Sequence, residues 1–492
     1  MLEKLFILGV IFIPFSGISG VSLMGEMRSE LSAHIFLFAL FVFFMSYIPG
    51  AARDGKLSRV KLLPKFMALF FCAIGVSLAF NFSAIFESIY RERTGLNKFI
   101  TSSMVAVFGF ALAYLSYFVV LDKWKSTLLK PISISVIICV IYSFFELGSW
   151  VSSGFDGIYT ALFNMTHDAN FSMNAGLSRL MSVSFEPPAF ANYAGFAWPW
   201  IYAGVVVSRG PQKTLYSFLW AALTVMIVLA SSRTGMIVLS GCIITLILLY
   251  RVYLPQKVAR SSFKVSMTTI LVGLIFLSAL IFADKFNELV DMVVVGQSVS
   301  NLSRLASNTA AISMFLDRPF FGFGFGQYGF NGAEYMPAWG WYSWEIRGWF
   351  SDLGQTWPPV FSLYARFAAE LGLFGVIIWT YIWIKLMCLV MSVSLESQRI
   401  TGVLPSQAYP LVLSFVCVLL SGIPNDSLRT PMIWIVLGLG CRFVNDMEIF
   451  IEKAKAGTVA GLGDKSADGG LEGSVGRSSF FDGGNEVVRH KH

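Results

Sequence analysis

Residues 99–121 read FITSSMVAVFGFALAYLSYFVVL, an apolar run without a charged residue. A helix of about 20 residues crosses a bilayer core about 30 Å thick, so this run predicts a membrane-spanning helix. Of the 492 residues, 56% are hydrophobic and only 13% are charged, whereas soluble domains carry roughly 25% charged residues. The composition therefore excludes a soluble enzyme and predicts an all-α integral membrane protein.

Apolar blocks of this kind recur along the chain and predict about twelve transmembrane helices. We place these spans at 5–23, 31–50, 66–86, 99–121, 131–150, 189–208, 214–230, 235–254, 266–284, 367–392, 407–422 and 430–447. The resulting segments are N-terminal helices 1–150, a loop 151–188, helices 189–284, a large loop 285–366, helices 367–447 and a tail 448–492. Both loops should contain short helices, because structureless connections of this length are uncommon. The tail is rich in glycine, serine and charge, which predicts disorder.

The loops differ in their basic residues. Lysine-rich loops at 51–65, 122–130 and 251–265 belong in the cytoplasm by the positive-inside rule, so both termini are expected there and both long loops outside. The basic residues of the outer side are Arg28, Arg91, Arg93, Lys98, Arg179, Arg233, Lys285, Arg304, Arg318, Arg347, Arg366 and Arg429. Most are arginines, whose planar fork binds phosphate and carboxylate bidentately. An anionic ligand at the outer face is one interpretation, and anchoring of helix ends at lipid headgroups is the other.

Metal and disulfide chemistry have no sequence motif here. The six cysteines lie in or beside apolar blocks, and none is part of a CxxC pair, so we interpret them as small buried hydrophobes. The four histidines form neither HxxxH nor HExxH. We expect no metal and no cofactor.

The segment 178–195, SRLMSVSFEPPAFANYAG, places Glu186 directly before a helix that begins near two prolines. Proline is well tolerated in the first turn of a helix. A carboxylate at this mouth is a candidate general base. Alternatively, Glu186 caps the helix and pairs with Arg179.

Two further motifs carry outer arginines. SSRTG at 231–235 is a tight connection between two spans and holds Arg233 at the interface. SRLASNTAAISMFLDRPFFGFGFGQYGF at 303–330 predicts a helix over 303–317, followed by Gly322, Gly324 and Gly326, with Arg304 and Arg318 in the same motif. Closely spaced glycines let backbone N–H groups approach an oxyanion. No GK[ST] follows, so this is not a Walker loop.

The stretch 330–360 is rich in aromatic residues, and its candidate sugar contacts are Trp339, Trp341 and Trp344. An interfacial aromatic belt is the competing interpretation. Within ARFAAELGLFG at 365–375, Arg366 and Glu370 are four residues apart on one helix and are expected to form a structural ion pair.

In this order, the motifs resemble those of the Wzy family, the polymerases of lipid-linked bacterial polysaccharides, and the related O-antigen ligases. The resemblance covers roughly 175–380 and rests on Arg179 with Glu186-Pro187, SRTG at 232–235, Arg304 with DRPFFGFGFGQYGF, and ELGLFG at 370–375. The ligases carry a His-Asn pair where this chain has Phe361-Ser362. That departure favours the polymerase branch.

The resemblance implies a fold similar to the C-type glycosyltransferases and a site at the periplasmic face of the bacterial inner membrane. The implied substrates are oligosaccharides on undecaprenyl pyrophosphate, for O-antigen or exopolysaccharide, without nucleotide, metal or nucleic acid. A flippase and a chain-length regulator of the same pathway are the expected partners. The implied roles are pyrophosphate binding by Arg179, Arg233, Arg304, Arg318 and the three glycines, with Glu186 as base and Arg304 and Arg318 as catalytic arginines.

Three alternatives remain. An O-antigen ligase would use the same chemistry with lipid A core as acceptor. A flippase for lipid-linked sugars would have charge spread along a central cavity, whereas the charged motifs here cluster on one face. A secondary transporter would show broken helices at matching positions in two halves, and the sequence shows no such repeat.

Overall fold

The computed structural model describes residues 1–18, 20–21, 27–55, 57, 60–120, 123–168, 179–253, 299–351 and 357–464. The described residues are 78% helical with almost no sheet, so the predicted all-α class is confirmed. Within the described ranges the only sheet is a hairpin, in which β1 (Ile89–Tyr90) pairs antiparallel with β2 (Arg93–Thr94).

The helices follow in chain order. The first six are α1 (Leu2–Ile11), α2 (Leu31–Arg53), α3 (Leu62–Phe80), α4 (Phe82–Glu87), α5 (Gly95–Val119) and α6 (Lys125–Val151). The next four are α7 (Asp156–Thr166), α8 (Pro187–Val207), α9 (Gly210–Leu229) and α10 (Arg233–Tyr253). The last six are α11 (Val299–Asp317), α12 (Tyr328–Asn331), α13 (Trp344–Phe350), α14 (Leu363–Thr401), α15 (Ala408–Ser421) and α16 (Pro431–Asp464).

Six of these helices are long and apolar enough to cross a membrane, namely α2, α3, α5, α6, α9 and α14. Two shorter apolar helices are Arg233–Leu249, within α10, and α15. The predicted span 266–284 lies outside the described residues, and the total of twelve remains a prediction. The expected short helices of the long loops are present as α7 and as α11 to α13.

Two predicted boundaries are wrong. The first span was placed at 5–23, but α1 ends at Ile11 and turns follow, because Pro14 and the glycines and serines after it do not favour helix. The tail was predicted to begin at 448, but α16 continues to Asp464. Residues 448–456 contain good helix formers, and Lys455 forms an ion pair with Glu396 at 2.6 Å.

Close contact between α5 and α16 depends on small residues. A Cβ atom on Gly109 would lie 2.1 Å from the Trp434 ring, and one on Gly438 would lie 2.1 Å from the carbonyl oxygen of Ala113. Small residues let membrane helices approach closely, where dispersion replaces the hydrophobic driving force. This contact fixes α16, whose first turn follows Arg429.

The long helix α14 is broken at Gly372, which has φ 67° and ψ −164°. In a continuous helix, the N–H groups of Leu373 and Phe374 would donate to the carbonyls of Ala369 and Glu370. Instead the segment 319–324 supplies all four partners. Leu373 and Phe374 donate to the carbonyls of Pro319 and Phe320 at 2.7 and 3.5 Å.

The same segment satisfies the carbonyl groups on the other side of the break. The N–H groups of Phe323 and Gly324 donate to the carbonyls of Ala369 and Glu370, both at 2.9 Å. Unsatisfied backbone groups at membrane depth are costly, and an irregular backbone is tolerated there only inside protein. The loop after α11 therefore supplies the backbone hydrogen bonds that the break in α14 leaves unmade.

Two polar side chains of the α3 region join this junction. The Ser77 hydroxyl lies 2.7 Å from the Phe321 carbonyl and 3.0 Å from the Glu370 carbonyl. Asn81 donates to the Gly322 carbonyl at 3.0 Å and accepts from Arg318 at 2.9 Å. Three chain segments are thus linked by one buried hydrogen-bond network.

The large loop has a small core of its own, separate from that of the bundle. Its buried members are Ala306, Ala310, Ala311, Met314, Phe323, Tyr328, Met336, Ile346, Val360 and Ala369. The loop is therefore a folded cap on one end of the bundle, and α11 contributes the alanine face on which it packs.

Replacing Gly372 by alanine should destabilise the protein. The backbone conformation at Gly372 is essentially restricted to glycine and costs other residues about 1–3 kcal/mol. A Cβ would also lie 2.3 Å from the Phe320 carbonyl carbon and oxygen. Thermal unfolding in detergent should show a lower Tm for Gly372→Ala. The control is Gly75→Ala in α3, where nothing lies within 4 Å of the added atom; an equal Tm for both variants would contradict this role.

Candidate functional site

The segment from Arg179 to Glu186 runs beside the end of α9. Its first anchor is Leu180, whose N–H donates to the Leu229 carbonyl at 3.1 Å. The Arg179 guanidinium donates to the carbonyls of Ala230 and Ser231 at 3.4 and 3.2 Å. A cation at the C-terminus of a helix is favoured by the helix dipole. Arg179 therefore also holds the hairpin that carries Arg233.

A buried carboxylate supports the next turn of this segment. Glu146 of α6 is 2% exposed, and its two oxygens accept the N–H groups of Met181 and Ser182 at 3.0 and 2.8 Å. Ser182 has a left-handed backbone with φ 52°, and its hydroxyl donates to the Cys139 carbonyl at 3.2 Å. Glu146 thus positions the turn that leads to Glu186.

Sequence reasoning missed Glu146, although a signal was present. It is the only charged residue within the predicted span 131–150. An ionisable residue inside a span is costly and marks a specific role.

Glu186 stands at the mouth of α8. Its backbone is extended, Pro187 follows in the first turn, and its side chain makes no capping hydrogen bond, so the capping interpretation is not supported. Solvent reaches the side chain, but surrounding protein atoms partly desolvate it. Burial raises the pKa of Glu186, and the charges of Arg304, Arg179 and Arg429 oppose that rise.

Two of the predicted arginines, Arg179 and Arg304, act on this carboxylate. Burial lowers the pKa of Arg179, as do the positive charges of Arg304 and Arg233, while Glu186 raises it. Arg179 and Arg304, which are distant in sequence, therefore both lie within electrostatic reach of Glu186. Arg233 lies within reach of these two arginines. Like charges held together repel, and a bound anion would relieve that repulsion.

Arg304 lies in the first part of α11, with its guanidinium 5.1 Å from the centre of the Phe361 ring. None of the ion pairs found in the described part of the chain includes Arg304. A ring contact uses none of the N–H donors of the guanidinium. Arg304 is therefore the arginine of this group best suited to bind an anion.

Arg429 is a member of the group that sequence reasoning did not select. It precedes α16, is half-buried, and donates to the Ser427 hydroxyl at 3.2 Å. Its charge lowers the pKa of Glu186 and also that of Glu30, whose pKa burial raises. It was counted among the outer arginines, but its short loop 423–430 carries no motif that would distinguish it.

Arg318 lies elsewhere. It follows the end of α11, fourteen positions after Arg304, which corresponds to roughly 20 Å along a helix. Its guanidinium donates to Asn81 at 2.9 Å and lies 4.3 Å from the centre of the Phe323 ring. One pyrophosphate could not contact both arginines at this separation, and the observed contacts of Arg318 are with the α14 junction.

The glycine loop also serves that junction. Gly322, Gly324 and Gly326 all have positive φ, at 61°, 107° and 82°. The N–H groups of Gly322 and Gly324 donate to the carbonyls of Arg318 and Glu370, so they are already occupied. The geometry does not support their predicted contact with phosphate, and close packing explains the glycines instead.

The remaining predicted residues lie in or beside the cap. Trp339 and Trp341 are half-buried against its core, whereas Trp344 is 65% exposed and is the one open to solvent. Arg366 donates to Glu370 at 3.2 Å, which is the ion pair that the spacing predicts. Glu370 also accepts from the N–H of Tyr328 at 3.4 Å.

Several helices begin beside this group, among them α8 after Glu186, α10 at Arg233, α14 after Phe361-Ser362 and α16 after Arg429. The N-terminus of a helix carries a partial positive charge. These ends add to the arginine charges, so the arrangement is suited to an anion beside a carboxylate with a raised pKa.

Comparison with known proteins finds a family match over part of the chain. Residues 218–380 match the sequence family described as O-antigen ligase, and no curated protein matches the chain. The match confirms the resemblance at the level of the O-antigen ligase/polymerase superfamily, which is glycosyltransferase-like. It includes Arg233 and Arg304 but not Arg179, Glu186 or Arg429, and it does not separate polymerase from ligase.

Replacing Glu146 by glutamine should weaken the hold on the 181–182 turn. The amide keeps one acceptor oxygen but presents an NH2 group to the second backbone N–H, and an unsatisfied buried group costs about 1–3 kcal/mol. We expect a lower Tm and faster proteolysis between 179 and 186. Glu448→Gln, which alters an exposed carboxylate of α16, is the control; identical Tm and cleavage in both variants would argue against the role of Glu146.

Proposed function

We propose that this protein is a polymerase of bacterial surface polysaccharide, acting at the periplasmic face of the inner membrane. It transfers a growing glycan from undecaprenyl pyrophosphate to the next lipid-linked repeat unit. The observation that carries the proposal is that Arg304 and Arg179 act electrostatically on Glu186, with Arg233 near both arginines, at one end of a membrane helix bundle. The superfamily match supports the reaction class.

The chemistry needs one base and one anion site. A hydroxyl of the acceptor sugar attacks the anomeric carbon of the donor, and the bond from that carbon to the pyrophosphate oxygen breaks. Glu186 accepts the hydroxyl proton. The pyrophosphate leaves with the bonding electrons, and Arg304 and Arg233 stabilise the charge that develops on it.

The carrier already activates the sugar, so the transfer needs no nucleotide. Arg179 is fixed to the carbonyls at the end of α9 and contributes its charge together with Arg429. The exposed Trp344 and the other aromatic residues of the cap are the proposed sugar contacts. A flippase and a chain-length regulator are the proposed partners.

A ligase is the second candidate, because the matched family is described as O-antigen ligase. Phe361-Ser362 stands where the ligases carry His-Asn, and this favours the polymerase. Purified protein with lipid-linked repeat units alone should yield a ladder of longer glycans. Transfer that occurs only after lipid A core is added would establish the ligase instead.

Removal of Arg304 should lower transfer strongly without unfolding the protein. Loss of one donor to a developing oxyanion typically lowers turnover by about 10²–10³-fold, so we expect this loss in Arg304→Ala and a smaller one in Arg304→Lys. Arg347→Ala is the matched control, since Arg347 is an exposed outer arginine that donates to the carbonyls of Trp341 and Tyr342. Wild-type polymer length in Arg304→Ala would remove this residue from the mechanism.

The pH dependence of transfer should report on Glu186. The base must be deprotonated, so the rate falls as pH falls through its pKa, which burial raises above the ordinary glutamate value. The acidic limb of the profile should therefore lie above that of an unperturbed carboxyl group. Glu186→Gln should lose most activity and show no such limb; an unchanged profile in that variant would assign the base elsewhere.

A further inference from the structure

Phe361 has an unusual backbone conformation. Its φ is +66°, in the left-handed region that a bulky residue rarely occupies. Such strain persists only where the surrounding structure imposes it, and it concentrates at functional sites. A glycine at this position would avoid the strain, so the aromatic ring must have a use that offsets it.

The neighbours of Phe361 impose this conformation. On one side, the N–H of Val360 donates to the Asp426 carboxylate at 3.0 Å. On the other side, the N–H of Leu363 donates to the carbonyls of Gly422 and Asn425 at 2.8 and 3.1 Å. All three of these acceptors belong to the loop 422–426, which lies shortly before Arg429 in the chain.

The ring of Phe361 lies between the cap and the arginine group. Its centre is 5.4 Å from that of the Trp349 ring on one side. The Arg304 guanidinium lies 5.1 Å from the same ring centre, a distance at which the cation and the ring face attract each other. Trp349 thus packs against the Phe361 ring, and the Phe361 ring contacts the Arg304 guanidinium.

We infer that Phe361 is a positioning residue, which holds the Arg304 guanidinium where it can bind a pyrophosphate oxygen. The inference rests on the proposed function. A ring can hold a guanidinium without occupying its N–H donors, whereas a carboxylate would neutralise the charge and compete with the substrate. The strained backbone at Phe361 is therefore a consequence of delivering a ring to that position.

Three variants of Phe361 separate this role from simple packing. Phe361→Tyr keeps a ring face and should retain turnover within about twofold. Phe361→Leu keeps bulk without the ring and should lower turnover at least fivefold. Phe361→Gly also removes the ring but relieves the positive φ, so part of the stability lost with the ring is recovered. Its turnover should nevertheless fall as in Phe361→Leu. Wild-type turnover in Phe361→Gly would overturn the inference.

A double-mutant cycle tests whether Phe361 acts through Arg304. In an Arg304→Gln background, Phe361→Leu should lower the residual transfer by less than twofold. The same fivefold loss in both backgrounds would show that Phe361 acts independently of Arg304 and would overturn the inference.

Failure of the proposed function would be distinguishable. If the wild-type protein transfers no glycan, that function is wrong, and binding of farnesyl pyrophosphate to the purified protein then decides the inference. Phe361→Gly should weaken this binding at least fivefold and Phe361→Tyr should not. Equal binding by the wild type and both variants would overturn it.

Discussion

The exchange of hydrogen bonds at the break in α14 is the constraint on which the site depends. Gly372 interrupts two successive helical hydrogen bonds, and the segment 319–324 restores each donor and each acceptor. Because a membrane helix cannot leave such groups unpaired, the end of α11 is fixed to the start of α14. Both Arg304 on α11 and Phe361 before α14 take their places from this junction.

The junction also explains why conspicuous motifs do not form the anion site. The glycines at 322–326 and Arg318 belong to the hydrogen-bond network with Ser77 and Asn81. Their positive φ values and close contacts serve packing. The proposed anion site lies at the other end of α11, where Arg304 is within electrostatic reach of Arg179, Arg233 and Glu186.

Helix direction contributes to the positive charge around Arg304 and Glu186. Alternating helices bring the N-termini of α8, α10, α14 and α16 to one side. Of these, α8, α10 and α16 are preceded or begun by a residue of the group. Partial positive charges and guanidinium groups together create a field that favours an anion near Glu186. The repulsion among the arginines disfavours the empty site, so a pyrophosphate would stabilise the folded protein as it binds.

Much of this could be predicted from sequence, but only where a signal is local. The apolar blocks predicted the all-α membrane class. The sequence also predicted that one side of the membrane holds Arg179, Glu186, Arg233 and Arg304, each before or within a helix. Arg429 and Phe361 were missed because their importance comes from contacts between segments far apart in the chain. Glu146 could have been found, since a lone carboxylate inside a span demands a partner, but the sequence could not show that its partners are backbone N–H groups. The predicted phosphate contact of the glycine loop is not supported, because closely spaced glycines also permit close packing.

The central claim is that the arginine group around Glu186 binds pyrophosphate, and direct binding tests it best. Purified protein in detergent would be titrated with undecaprenyl pyrophosphate at fixed ionic strength. The account predicts saturable binding that weakens at least tenfold in Arg304→Gln and stays unchanged in Arg347→Gln, an equal loss of charge on the same side. Equal affinity in the two variants would contradict it, because the lipid would then be attracted by the net charge of the protein rather than held by this site.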